Sequence, residues 1–230
     1  MQIQILETIH GITHVLTIPI AVIAALLYAP KYGYNRGKAI LYSLTMMVII
    51  VLFTYACKWV PGWFGFTVFI NAARTFPFVP LFSLLLSRVW KIPTWQGVDF
   101  MTPIMFFART VVLIGCTMLG CGQAVPRDWG VYSALAGCKV FPMDLIDMLG
   151  TFAIAFLSMA YAKRLHYRGN GRVFALSMIC LGSIRFFLQL ESLDRYYGIR
   201  GFNDETIISI ISIVIGAVIY QHNENRVQNI

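Results

Sequence analysis

Apolar runs close to the length needed to cross a lipid bilayer recur along nearly the whole of this chain, and short, mostly basic stretches separate them. That pattern leaves one class of fold. A segment in lipid must satisfy its own backbone N–H and C=O groups, which a helix does and an open strand does not. A helical span takes about 20 residues. The runs fall at residues 11–29, 39–57, 75–90, 98–120, 142–162, 173–190 and 206–220. They predict an all-α, polytopic membrane protein with seven transmembrane helices, forming a single domain over residues 1–230. No basic cluster precedes the first run, so it reads as a retained helix and not as a cleavable signal peptide. The third run is short and has Pro77 and Pro80 at its start. The aromatic, glycine-rich segment Trp59-Val-Pro-Gly-Trp-Phe-Gly65 predicts an interfacial or re-entrant stretch reaching Arg74, because aromatic rings favour the headgroup zone.

Charge sets the orientation. The chain has 18 Lys and Arg against 10 Asp and Glu, a net charge of +8. In a soluble protein such an excess would point to nucleic acid. Here charged residues are only 12% of the total and the mean hydropathy is +0.71, so nucleic acid is rejected as a partner in favour of anionic lipid. The first, third and fifth connections carry Lys31, Arg36, Lys38, Arg88, Lys91, Lys163, Arg164, Arg168 and Arg172. By the positive-inside rule those connections are cytoplasmic, which puts the N-terminus outside and the C-terminus inside. The acidic loop with Glu191, Asp194, Asp204 and Glu205 then falls outside. No internal repeat is visible, which argues against an inverted-repeat transporter.

A few polar residues interrupt the runs. Arg109 and Arg185 lie mid-run, where a guanidinium costs several kcal/mol (roughly) unless it meets an anion or a carbonyl. Each reads either as a binder of lipid phosphate or a developing oxyanion, or as a structural partner of Asp144 or Asp147. Those two aspartates are spaced i, i+3 on one helix face. Asp144, just after Pro142, suits a helix first turn, while Asp147 lies deeper and is available as an acid, a base or an ion-pair partner. His10 and His14 share a face at i, i+4, a spacing that permits metal binding, but no third ligand stands near them in the sequence. The cysteines match no zinc spacing and have no histidine partner in the sequence, so no metal is expected. Cys121 and Cys138 share one loop, where a disulfide is an open alternative.

From Phe76 onward the order of segments resembles the prolipoprotein diacylglyceryl transferase family. The runs that carry the likeness are Leu84-Leu-Leu-Ser-Arg-Val-Trp-Lys-Ile-Pro93, Val98-Asp-Phe-Met-Thr-Pro103 and Ile114-Gly-Cys-Thr-Met-Leu-Gly-Cys121. Trp129-Gly-Val131, Phe141-Pro-Met-Asp-Leu-Ile-Asp147 and Leu181-Gly-Ser-Ile-Arg-Phe-Phe-Leu-Gln189 follow in the same order. The resemblance implies a seven-helix enzyme of the bacterial plasma membrane. Its donor would be phosphatidylglycerol, its acceptor the thiol of a lipoprotein precursor, and it would use no cofactor. Carried onto this chain, it implies Arg185 and Asp147 as catalytic residues, and the reading of the residues adds His14 as a candidate general base. Arg109, Gln189, Asp144, Gly115 and Gly120 would contact substrate, and Arg74, just before the resembling region, reads as a further headgroup contact. The chain departs from the family pattern at several places, among them Gln189 where the family has an acid after the sixth-helix arginine and Asp147 as a substitute for the fifth-helix acid. Phe76-Pro77-Phe78 stands where the family has His-Gly-Gly, Leu113 where it has an arginine, Cys116 where it has an asparagine, and Leu119-Gly120-Cys121 where it has Asn-Gly-Glu. Arg109, one turn before Leu113, is placed to restore the guanidinium. The sequence leaves two other readings open: a non-catalytic lipid- or partner-binding bundle, and a small transporter with arginines along an anion path.

Overall fold

The computed structural model describes residues 2–63, 76–122, 124–192 and 204–228. Among them are seven α-helices: α1 (Gln2–Tyr28), α2 (Arg36–Trp63), α3 (Val79–Trp90), α4 (Thr94–Leu119), α5 (Met143–Arg164), α6 (Arg172–Gln189) and α7 (Asp204–Gln228). Six contain a window long and apolar enough to cross a membrane, and α3, with 12 residues, is the short one. The fold is therefore all-α and polytopic, as the apolar periodicity predicts.

Several helices run further than the apolar runs predict: α1 starts at Gln2 where the run starts at residue 11, and α7 reaches Gln228 where the run ends at residue 220. The helix predicted to end at Cys57 continues through Trp63, so Trp59 to Trp63 is helical and belongs to α2. In an apolar surrounding the backbone has no water to bond, and a helix persists past a proline near its end. The rest of the proposed re-entrant stretch, with Arg74, lies outside the described residues. The loop after α4 forms an antiparallel hairpin, β1 (Pro126–Ser133) with β2 (Cys138–Val140), in which Ser133 faces Cys138 and Tyr132 faces Lys139.

α4 is the centre of the bundle. It packs on α1, α3, α5 and α6, and α6 in turn packs along α7. Val98, Phe100, Met101, Ile104 and Phe106 on α4 are almost wholly buried. The outer faces remain apolar, with Val15, Ile23 and Leu27 on α1, Leu149 and Leu157 on α5, and Val214 and Val218 on α7 exposed. Such faces suit lipid, where no hydrophobic force drives helices together and close packing and polar contacts hold the bundle. At one end of the bundle an aromatic group closes over α4: Tyr32 lies edge-on to Phe100 at 5.6 Å and to Tyr167 at 5.2 Å between ring centres. The hairpin caps the other end, and the polar residues of interest gather on that side.

Candidate functional site

Four helices bring ionic side chains together below the hairpin. Asp147 is the fifth residue of α5, Arg185 is four residues before the end of α6, and Arg109 is on the middle of α4. Both arginines donate to one oxygen of Asp147. Arg109 Nη2 is 2.5 Å from Asp147 Oδ2, and Arg185 Nη1 is 3.2 Å from it. Arg185 also donates through Nη2 to Glu205 on α7. Thr151, one turn along α5, accepts from Arg109 Nε at 3.3 Å and donates to Asp147 Oδ1 at 3.3 Å. The four charged side chains are between 9% and 14% exposed, so water screens them little. Two guanidinium groups and two carboxylates sum to zero charge, which is the condition for holding ions at membrane depth.

The sequence reading is sharpened here. It left open whether the arginines share a site, and they converge on one carboxylate. It assigned Glu205 to an acidic external loop, but Glu205 is the second residue of α7, buried and ion-paired with Arg185. α7 starts two residues before the apolar run, because an acid at a run's edge looks like loop until a cation on another helix claims it. Thr151 was also missed; its spacing of i+4 from Asp147 was the available signal.

The other expected contact residues fall around this cluster. Asp144 Oδ2 accepts the backbone N–H of Gly122 at 2.7 Å, which ties the start of α5 to the chain leaving α4. Gly120 ends α4 in the left-handed region at φ 77°, and a Cβ there would lie 2.3 Å from Ser133 Oγ in the hairpin. Gly115 faces α1, where a Cβ would come 2.3 Å from Thr13 Oγ1 and 2.9 Å from His10 Cα. Both glycines thus have protein against them where the resemblance implies substrate. Gln189 is buried at the last position of α6. His14 is exposed and its ring meets His10 edge-on, with 3.3 Å between the Nε2 atoms.

The close approach of α1 to α4 corrects the reading of the cysteines. Cys116 Sγ is 3.4 Å and Cys121 Sγ 3.9 Å from His10 Nε2, so both thiols have a histidine partner that is over a hundred residues away in the chain. Cys121 and Cys138 are separate free thiols, and Cys121 turns toward Cys116 instead.

This arrangement defines a multi-pass α-helical membrane protein with a charge-balanced ionic cluster buried between α4, α5, α6 and α7. The sequence model of the family described as prolipoprotein diacylglyceryl transferase matches residues 76–222, well over half of the chain, and the protein belongs to that family. One similar protein is the phosphatidylglycerol–prolipoprotein diacylglyceryl transferase of Finegoldia magna, 31% identical over 98 residues. The aligned part is 43% of this chain and 38% of that relative's length.

Proposed function

We propose that this protein is a transferase of the bacterial plasma membrane that moves a diacylglyceryl group from phosphatidylglycerol to an acceptor thiol. The observation that carries the reading is the convergence of Arg109 and Arg185 on Asp147 in a member of this family. A guanidinium has five N–H donors in a planar fork. Among the described residues Arg109 donates to Asp147 and Thr151, and Arg185 to Asp147 and Glu205. Donors remain for a phosphate diester without giving up these partners. In transfer, the thiol gives its proton to water and its sulfur bonds to the glycerol carbon as the C–O bond to phosphate breaks. The electron pair leaves on the phosphate oxygen, where two preorganised cations stabilise it. Asp147, held by both arginines, serves to orient them and is a poor proton acceptor.

The test is incubation of the purified protein with phosphatidylglycerol liposomes and a peptide bearing a lipobox cysteine, followed by peptide mass. The expected result is a diacylglyceryl mass gain that falls about 10- to 100-fold in Arg185→Ala, since a hydrogen bond to a charged group contributes about 1.5–3 kcal/mol. Unchanged transfer in both Arg185→Ala and Arg109→Ala sinks the assignment. A second reading, a lipid-binding bundle without turnover, is favoured by Phe76-Pro77-Phe78 in place of His-Gly-Gly; bound phosphatidylglycerol with no mass gain would select it. The same proposal puts the N-terminus and the hairpin outside the cell. A reporter fused to the C-terminus should then be reached only from the cytoplasmic face, and labelling from the outer face overturns the orientation.

A further inference from the structure

Cys116, Cys121 and His10 have no part in the ionic cluster, yet the fold takes several steps to bring them together. Cys116 is in the last turn of α4. Gly120 reverses the chain there, and the backbone N–H groups of Gly120 and Cys121 both close on the Cys116 carbonyl, at 2.7 and 3.2 Å. That turn carries Cys121 back over Cys116. Asp144 holds the next residue in place, and Gly115 lets α1 come close enough for His10 to reach both sulfurs. The donor atoms of the three residues lie within 4.8 Å of one another, and all three side chains are half-buried.

We infer that His10, Cys116 and Cys121 form a zinc site with an open fourth position that takes the acceptor thiol as its thiolate. A tetrahedral zinc with Zn–S about 2.3 Å and Zn–N about 2.0–2.1 Å spans edges of about 3.6 Å from nitrogen to sulfur. The two His10 edges, at 3.4 and 3.9 Å, bracket that value. Two thiolates, a neutral imidazole and Zn2+ sum to zero charge, so the ion can sit at the edge of the hydrocarbon without a further counter-ion. Three protein ligands with one position left over is the pattern of zinc sites that do chemistry, and four is that of sites that only hold structure. His14 stands beside His10 but outside the group whose donor atoms all approach one another, which leaves the fourth position to a ligand from solution.

The open position answers a need of the proposed reaction, and this role rests on that reading. The thiol must lose its proton before it attacks, and Asp147 is occupied by two arginines. A thiol bound to zinc is deprotonated outright, its proton passing to water, and it stays nucleophilic toward carbon. Cys116 follows Arg109 by seven residues, two turns along the same face of α4, so the ion would stand about 10 Å along the helix from the guanidinium. That is a fitting distance for a thiolate to approach the glycerol carbon of a lipid whose phosphate rests on Arg109 and Arg185.

The experiment is titration of the full chain, purified in detergent under reducing conditions and stripped of metal, with Co2+ as a spectroscopic stand-in for zinc. One equivalent should bind with a thiolate-to-cobalt band in the near ultraviolet. Cys116→Ser, Cys121→Ser and His10→Ala should lose the band, while Cys138→Ser and His14→Ala keep it. Adding the lipobox peptide should shift the cobalt spectrum, and the same peptide with serine for cysteine should not. A thiolate band that survives in the Cys116→Ser/Cys121→Ser protein, or a Cys116–Cys121 disulfide with no metal uptake before reduction or after it, overturns the site. Loss of the band in His14→Ala, or no shift with the peptide, overturns the open position. The two proposals fail separately. Cobalt bound with the peptide shift but no diacylglyceryl transfer removes the transferase reading alone, and full transfer by metal-free Cys116→Ser/Cys121→Ser protein removes the zinc role alone.

Discussion

Asp99 and Asp147 are both buried carboxylates in the same bundle, and they are held in opposite ways. Asp99, near the start of α4, is fully buried and accepts the backbone N–H groups of Gly171 and Phe174, at 2.8 and 3.0 Å. It caps the N-terminus of α6 from another helix, where Gly171 has no side chain to do so. Its partners are main-chain groups that cannot move without unwinding the helix, and the helix dipole favours its charge. Asp147 is held by two arginine side chains and a threonine hydroxyl. Those partners are on flexible stems and have donors to share. The first carboxylate joins two helices; the second balances two cations, each of which has a second partner of its own. Partner type, more than depth of burial, separates the two carboxylates.

The largest effect should come from Asp147→Ala. It leaves Arg109 with the Thr151 hydroxyl and Arg185 with Glu205, and removing one partner of a buried pair costs about 3–5 kcal/mol. Thermal unfolding in detergent reads this, and added phosphatidylglycerol should recover part of the loss by supplying the missing anion. Failure of the lipid to stabilise the variant breaks the contrast at its functional side. Asp99→Ala should cost about 2–4 kcal/mol, because two buried N–H groups lose their acceptor. Here lipid should recover nothing; a lipid-dependent rescue would place Asp99 in a site as well. Gly115→Ala comes next. Its Cβ would press on Thr13 and His10, and overpacking of this kind costs about 1–3 kcal/mol. Cobalt binding should weaken in this variant while Arg109 and Arg185 still serve lipid binding, which would show that the thiol group and the ionic cluster are separable. The smallest effect is expected for Arg127→Ala. Its pair with Glu191, at 2.7 Å, is 41% and 31% exposed at the two side chains, and pairs of that kind are worth less than about 1 kcal/mol. A loss of several degrees in unfolding temperature would mean that the hairpin, which Arg127 carries, is a stronger brace than its exposure implies.

The sequence by itself determined the helical, membrane-spanning character of the chain and the placing of its apolar runs, since lipid leaves the backbone one way to satisfy its hydrogen bonds and the bilayer sets the length. It also marked Arg109, Arg185 and Asp147 as unusual, because ionic residues within an apolar run stand out whatever surrounds them. It did not determine which way they face. A residue's place along a helix gives its depth, but its azimuth toward a neighbour depends on packing of segments far apart in the chain. Only the tertiary structure could therefore assign Glu205 to Arg185, or place His10 against Cys116 and Cys121. The cysteines match no zinc spacing because their partner is on α1, and a contact across more than a hundred residues leaves no local pattern to read.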